Sequence, residues 1–523
     1  MSQVLESAIP DSDTNTRSAR AGVASSRVHA KKIVFVDPPY ERIAAGYEFV
    51  KNITNRSPSL GLLHLASEVR LHGWDPSIIE SDVCNMDVDD VARELIEAAP
   101  AYVGITLFTV GVWGAATIAR KLKFALPETI VIVGGPHISS MGPETLERFA
   151  EFDVAVVGEG ERPLIDLLNA LENDTPFADV PALLYRDGDE IVKTASLPID
   201  RVLDDLPMPA WDLLPGFPEA YPPAVFDFPR GPVATIAASR GCPFHCRFCD
   251  TSTFGAKIRR YSAEKVFEMM QHLYDEYGVR HVMFVDDLFL ASREKTEELC
   301  RLILERGLKM TWTCTARVDT VKPEVLETMK KAGCWEISFG LETGSDELLV
   351  KMDKLAEVEK SEQAVKWAAD AGIRTKGLFM LGYPGETRET IAMTRDFVRR
   401  IPMTIMNLTK FTPYPGSPIY RDLYGTNIRE DAWEKMNGMN FVWAPEGFTV
   451  EELDREYQGV LTAFYRRPKV GLHYLELMIQ HPGHVARLSK FLAGFALAKI
   501  KSFLSGRKGL LVREGETKLD AVS

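Results

Sequence analysis

The chain has 523 residues, with 61 Lys+Arg against 74 Asp+Glu and a formal net charge of −13. Apolar residues are 46% and charged residues 26%, the balance of a folded globular protein, which excludes a disordered chain, a collagen-like chain and a disulfide-stapled miniature. The acidic balance argues against a nucleic-acid partner, because phosphate binding needs basic stripes. At roughly 100–200 residues per domain, the length predicts three or four units.

Residues 1–30 read as a disordered leader. Ser7 to Ser26 is rich in Ser, Thr, Ala and Arg and has no apolar core segment. The longest uncharged apolar run near the C-terminus is Phe491 to Ala498, far short of the roughly 20 residues of a membrane span. A cytoplasmic protein is expected. The 7 cysteines are odd in number and come without an export signal, which argues against a disulfide framework.

Residues 31–172 alternate strand-like and helical segments. Strand candidates are Lys32 to Val36, Ser77 to Glu80, Tyr102 to Leu107, Thr129 to Val133 and Asp153 to Val157. Helical stretches such as Pro58 to His72 and Gly111 to Ala125 separate them. Five strands spaced by helices predict a parallel, doubly wound sheet with its ligand at the carboxyl ends of the strands. Residues 173–230 are dense in Pro, Asp and Gly and read as a linker over a domain surface.

A second βα series fills residues 231–426. Its strands are expected at Val233–Ala238, His281–Val285, Met310–Thr315, Trp335–Leu341, Thr375–Leu381 and Ile405–Phe411. Six βα units predict a barrel or an open partial barrel, again with the site at the carboxyl ends. Residues 427–523 turn helical and aromatic, then basic. Tyr457 to Tyr465 and Leu472 to Ile479 are expected to bury against the barrel mouth. Farther on, Leu488, Phe491, Leu492 and Phe495 share a helical stripe, with Lys490, Lys499 and Lys501 mostly off it. Such a helix either docks on the protein's own core or rests on an anionic membrane surface.

Cys242, Cys246 and Cys249 follow the first strand of the second series. Three thiolates in one short loop can wrap one face of a metal centre. Structural zinc would want four ligands, and only His245 offers itself as the fourth. The other reading is a four-iron cluster with one iron left open for a ligand and an electron.

The Cys-x-x-x-Cys-x-x-Cys spacing, with Phe248 before the last cysteine, resembles the radical S-adenosylmethionine (SAM) superfamily. The resemblance implies a 4Fe-4S cluster on Cys242, Cys246 and Cys249 that chelates SAM, cleaves it by one electron and yields a 5′-deoxyadenosyl radical. It also implies an electron donor such as flavodoxin or ferredoxin. Carried along the barrel, it implies SAM contacts at Phe248, Asp286, Asp287, Arg317, Glu342 and Gly382, with Tyr414 facing substrate. The bland alternatives are helix capping for Asp286 and Asp287 and a surface ion pair for Arg317.

A Rossmann-like domain ahead of such a barrel resembles the cobalamin-binding branch of the superfamily. That implies an α/β protein: a Rossmann-like cobalamin-binding-type domain, a partial (β/α)6 radical SAM barrel and a helical C-terminal region. It implies cobalamin contacts at Thr106, Leu107, Gly134, Gly135, Gly158 and Glu159. The loop after the first strand, from Asp37 to Ile43, lacks the cobalt-ligating His of many cobalamin proteins; a scaffold without cobalamin is the alternative. The function implied is C-methylation of an unactivated carbon on an apolar small-molecule intermediate. The alternatives are the anaerobic cyclisation of a tetrapyrrole-like substrate, whose enzymes this layout also resembles, and a cobalamin-independent rearrangement.

Overall fold

The structure is a computed structural model that describes residues 31–39, 55–425 and 427–504. The expected leader, most of the loop after the first strand, and residues 505–523 of the basic tail lie outside the described residues, as do the side chains of Phe495, Lys499 and Lys501.

Seven strands build the first sheet: β1 Lys32–Asp37, β2 Asp75–Glu80, β3 Tyr102–Thr106, β4 Ile130–Gly134, β5 Val154–Val156, β6 Leu183–Asp187 and β7 Glu190–Lys193. Their order is β2-β1-β3-β4-β5-β6-β7. The first five are parallel, as runs buried on both faces should be. Helices cover both faces; the one over Val88–Ala98 starts at an Asp87–Asp90 capping box.

The sheet runs on past the end assigned from sequence. β6 and β7 form a hairpin antiparallel to β5, inside the stretch read as linker. Its outer strand is only half-buried, so it lacks the apolar run that marks a strand in sequence. The rest of that stretch is no surface strap either. Leu206, Trp211 and Tyr221 are buried in one apolar core that also holds Ile33 and Phe35 of the first sheet and Ile236 of the second.

The second sheet has six parallel strands: β8 Val233–Ile236, β11 His281–Phe284, β12 Thr311–Ala316, β13 Cys334–Glu342, β14 Arg374–Leu381 and β15 Ile405–Lys410. They lie in chain order from β8 to β15, and those two edges do not pair; the sheet is an open partial barrel. A two-residue ladder, β9 Ser239–Arg240 with β10 Arg259–Arg260, closes the loop that carries the three cysteines.

The helices Val450–Tyr465, Pro468–Gln480 and Pro482–Leu504 follow. The first starts beside the mouth, where Asp454 pairs with Lys410 (2.5 Å) and a Cβ on Gly382 would meet Leu453, and runs back along β15; the other two, contrary to expectation, dock at the far end. The Tyr465 hydroxyl donates to Met406 O at the start of β15 (3.1 Å), and Arg487 donates to Pro223 O (2.7 Å). His484 is buried against Phe226 and Phe228, ahead of β8. Aromatic composition marked these helices as docked; it carried no information on which end of the barrel receives them.

Candidate active site at the barrel mouth

The cysteine loop is clamped from the barrel side. Asp286, just past β11, accepts from Ala238 N (3.0 Å) and from the Ser239 hydroxyl. Asp287 accepts from Gly241 N (3.0 Å). Both carboxylates therefore hold the chain one to four residues ahead of Cys242 and neither caps a helix; Asp286 is buried, while Asp287 stays exposed. Burial lifts Asp286 to about 6. Gly241 has φ +83°, and a Cβ there would meet Lys257 O at 2.5 Å, so this tight entry to the loop requires glycine.

Cys246 is buried, while Cys242 is half-buried and Cys249 opens to the mouth. Burial pushes the Cys246 thiol up, opposed by Lys354 and Arg317. The Cys249 thiol is pushed up to about 12, first by desolvation and then by Cys246 and Cys242. The three sulfurs thus sense one another. Among the described residues no three Cys, His, Asp or Glu side chains converge tightly enough for a single metal ion. A lone zinc would demand that convergence, whereas a cluster gives each cysteine its own iron. His245 is exposed. The residues present fit a four-iron cluster better than zinc.

Two buried cations flank the loop. Arg317 lies 3.6 Å over the Phe244 ring, with Nη1 3.7 Å from Cys246 Sγ. It also donates to Asp319 (3.0 Å) and to Lys354 O (2.6 Å), so it is no surface pair. Lys354 was missed by the sequence reading. Its Nζ is 2.5 Å from Glu342 Oε1 and 5.7 Å from the Phe248 ring centre. Glu342 sits at φ +62°, an unusual place for a residue with a side chain, where the register of β13 against β14 shifts. Gly340 makes the room: a Cβ there would meet Glu342 Oε1 at 2.7 Å and Lys354 Nζ at 2.8 Å.

Gly382, past β14, has φ +94° and donates to Glu386 Oε2 (2.6 Å). Tyr414, past β15, is 37% exposed, and its hydroxyl approaches Gly438 of the covering segment. Beneath this rim Phe248, Tyr383, Phe411 and Trp443 pack edge to face, with Tyr383 and Phe411 buried and Phe248 and Trp443 partly exposed.

The first domain offers backbone rather than side chains. Leu107 is fully buried in the core; only its backbone remains, bonded to Gly134 O (2.7 Å) and His137 N (3.0 Å). Gly135 has φ +100°, and a Cβ there would meet Thr106 Oγ1 at 3.0 Å and Leu107 N at 3.1 Å. Gly134 leaves more room, with Val156 O at 3.5 Å. Gly158 (φ +77°) donates to Ser139 Oγ (3.0 Å) and faces Thr253 O of the cysteine loop. The Glu159 carboxylate is held by Arg240 and Arg259, which removes it from the free groups of the cradle. The glycine edge fits a flat group close to the backbone.

Residues 236–398 match the Radical SAM superfamily and residues 49–168 the B12 binding domain. An uncharacterized methyltransferase of Pyrococcus horikoshii is 30% identical, covering 87% of this chain and 96% of that protein. The anaerobic magnesium-protoporphyrin IX monomethyl ester cyclase of Cereibacter sphaeroides is 29% identical over 91% of this chain and 76% of its own. Among solved structures, the radical SAM methyltransferase TsrM from Kitasatospora setae, with cobalamin and a [4Fe-4S] cluster bound, superposes with a TM-score of 0.62 at 19% identity, over 76% of this chain and 78% of that one.

Proposed function

The chain belongs to the radical SAM superfamily, in the branch that carries a B12-binding domain, and from that premise we propose that it is a C-methyltransferase acting on an apolar, ring-bearing small molecule. It is an enzyme that uses a 4Fe-4S cluster, SAM and cobalamin and needs a reductant. The observation that carries the methyltransferase reading is the nearly full-length likeness to the Pyrococcus horikoshii methyltransferase. The partly exposed rings of Phe248, Tyr414 and Trp443 at the mouth support the substrate class.

In this reading Cys242, Cys246 and Cys249 hold the cluster, and the glycine edge from Gly134 to Gly158 holds cobalamin. Together these groups supply one-electron cleavage of SAM, hydrogen-atom abstraction and a carrier for the methyl. The chain's own residues set the stage. Arg317 and Lys354 offset thiolate charge at Cys246 and present cations to a carboxylate ligand. Asp286 and Asp287 fix the loop, and Tyr414 closes the substrate side. Incubation with methyl-labelled SAM, dithionite and an organic extract of the source cells tests this. Label in an extractable product is expected; its absence, with 5′-deoxyadenosine still formed, would overturn it.

A second reading, oxidative ring closure on a tetrapyrrole, is favoured by the likeness to the cyclase over 91% of the chain. It predicts an unlabelled product carrying a new carbonyl.

No helix among the described residues is long and apolar enough to cross a membrane. Val485, Leu492 and Leu497 are nonetheless exposed on the last helix, beside Lys490. These support peripheral contact with an anionic bilayer. Full-length protein should co-sediment with anionic vesicles more than a chain ending at Gly483; equal binding would discard the contact.

A further inference from the structure

Four charged side chains form a buried bridge between the two sheets. After β5, Glu159 Oε2 lies 2.9 Å from Arg240 Nη1 and 3.2 Å from Arg259 Nη1, while its Oε1 meets Arg259 Nη2. Two residues on, Glu161 Oε1 lies 2.6 Å from Arg240 Nη2. All four side chains are at most 14% exposed. Arg240 and Arg259 are the paired residues of the β9–β10 ladder, the two ends of the loop that carries Cys242, Cys246 and Cys249. The loop also touches the first domain directly, since a Cβ on Gly158 would stand 3.7 Å from Thr253 O.

We propose that Glu159 and Glu161 are positioning residues for the cysteine loop, so that the B12-binding domain supplies part of the wall that holds the iron–sulfur cluster. This rests on the three-cysteine reading above. The strand entering the loop is gripped twice. Asp286 and Asp287 hold its backbone from the barrel, and Glu159 and Glu161 hold its arginine from the other domain. A buried charge pair of this kind is costly to break singly, because the abandoned charge stays buried. The loop therefore follows the first domain, and any shift of the segment after β5 reaches Cys242 through Gly241, the one residue that separates it from Arg240. The carboxylate of Glu159 is assigned here to the cluster loop and not to cobalamin.

The test uses full-length protein reconstituted with iron and sulfide under anaerobic conditions. Glu159→Gln, Glu161→Gln and the conservative Glu161→Asp are compared with Glu68→Gln, which breaks the neighbouring Glu68–Arg201 side-chain pair and leaves in place the Arg201 carbonyl that accepts from Arg259. Three quantities are read: the rate of iron loss to a chelator, the electron paramagnetic resonance spectrum of the reduced cluster, and bound cobalamin per chain. The two Gln variants should lose iron about tenfold faster, the factor given by about 1.4 kcal/mol of local stability, with an altered spectrum and unchanged cobalamin. Glu161→Asp should recover most of both, and Glu68→Gln should match the wild type even at an equal loss of melting temperature. Unchanged iron loss and spectrum, or a loss of cobalamin alone, would overturn the proposal. A wild type that takes up no cluster would instead overturn the three-cysteine reading beneath it.

Discussion

At the barrel mouth the groups presented to ligand are side chains: three thiols, two buried cations and a buried carboxylate, with Arg317 beside Cys246 and Lys354 on Glu342. At the carboxyl edge of the first sheet they are mainly backbone, with Gly134, Gly135 and Gly158 leaving the space and Leu107 and Glu159 turned to other tasks. The difference matches what each place is proposed to hold. A charged cluster with a small zwitterion needs formal charges close by. A large flat group needs an absence of Cβ atoms and a rigid edge. Side-chain sites fail when a functional group is removed; backbone sites fail when a methyl is added.

The largest effect belongs to the thiols. Replacing Cys242, Cys246 or Cys249 by Ala should abolish 5′-deoxyadenosine formation and strip the protein of iron and sulfide on reconstitution. The far-ultraviolet spectrum should not change, because only Cys246 is buried among them. A triple variant that kept iron and sulfide would remove the cluster from this loop.

Next comes the buried Lys354–Glu342 pair, in which both side chains are under 10% exposed. Lys354→Met strands the carboxylate and should cost about 3–5 kcal/mol in urea unfolding. Lys354→Met with Glu342→Gln removes both charges and should recover most of that stability, yet still bind SAM poorly. If the double variant bound SAM as the wild type does, the pair would be structural only.

The glycine edge gives the matching test of the other region. Gly135→Ala forces a Cβ at φ +100° within 3.1 Å of Leu107 N and should destabilise the first domain by about 1–3 kcal/mol. Gly134→Ala meets its first neighbour at 3.5 Å, so stability should hold within about 0.5 kcal/mol while cobalamin occupancy falls. Full occupancy in Gly134→Ala would exclude that residue from the cradle.

The legible parts of the molecule were those whose signal is local. The thiol spacing lies within eight residues of chain, and the parallel strands are continuous apolar runs such as Ile33 to Val36. What stayed hidden depends on groups distant in sequence. Lys354 reaches the mouth because Asp353 and Leu355 adopt positive φ, which no residue type there announces. Glu159 finds its cations at Arg240 and Arg259, about 80 and 100 positions away. A pair of glutamates after a strand and an arginine just ahead of a thiol loop are each unremarkable alone. The β6–β7 hairpin is too polar on its outer strand to show the period of a buried one.

The smallest effect separates the two kinds of buried carboxylate. Glu161, faced by Arg240, is held down at about 2 despite its burial. Glu386, faced by the amides of Gly382 and Tyr383 and no cation among its influences, is pushed up to about 7, with burial the largest cause. The signs are opposite. A lowered carboxylate adds stability above its unfolded value and loses it only as pH falls toward 2. A raised one adds stability below its unfolded value of 4.5 and loses it as pH rises through about 7. Wild-type protein should therefore lose melting temperature as pH rises from about 4.5 to about 7 through Glu386. Glu386→Gln, which keeps an acceptor for Gly382 N without the ionisation, should show a flatter profile over that window. Glu161→Gln should leave the slope in that window as it was while lowering the whole curve. Parallel profiles for wild type and Glu386→Gln would mean that the two amide bonds, and not burial, decide the charge on Glu386.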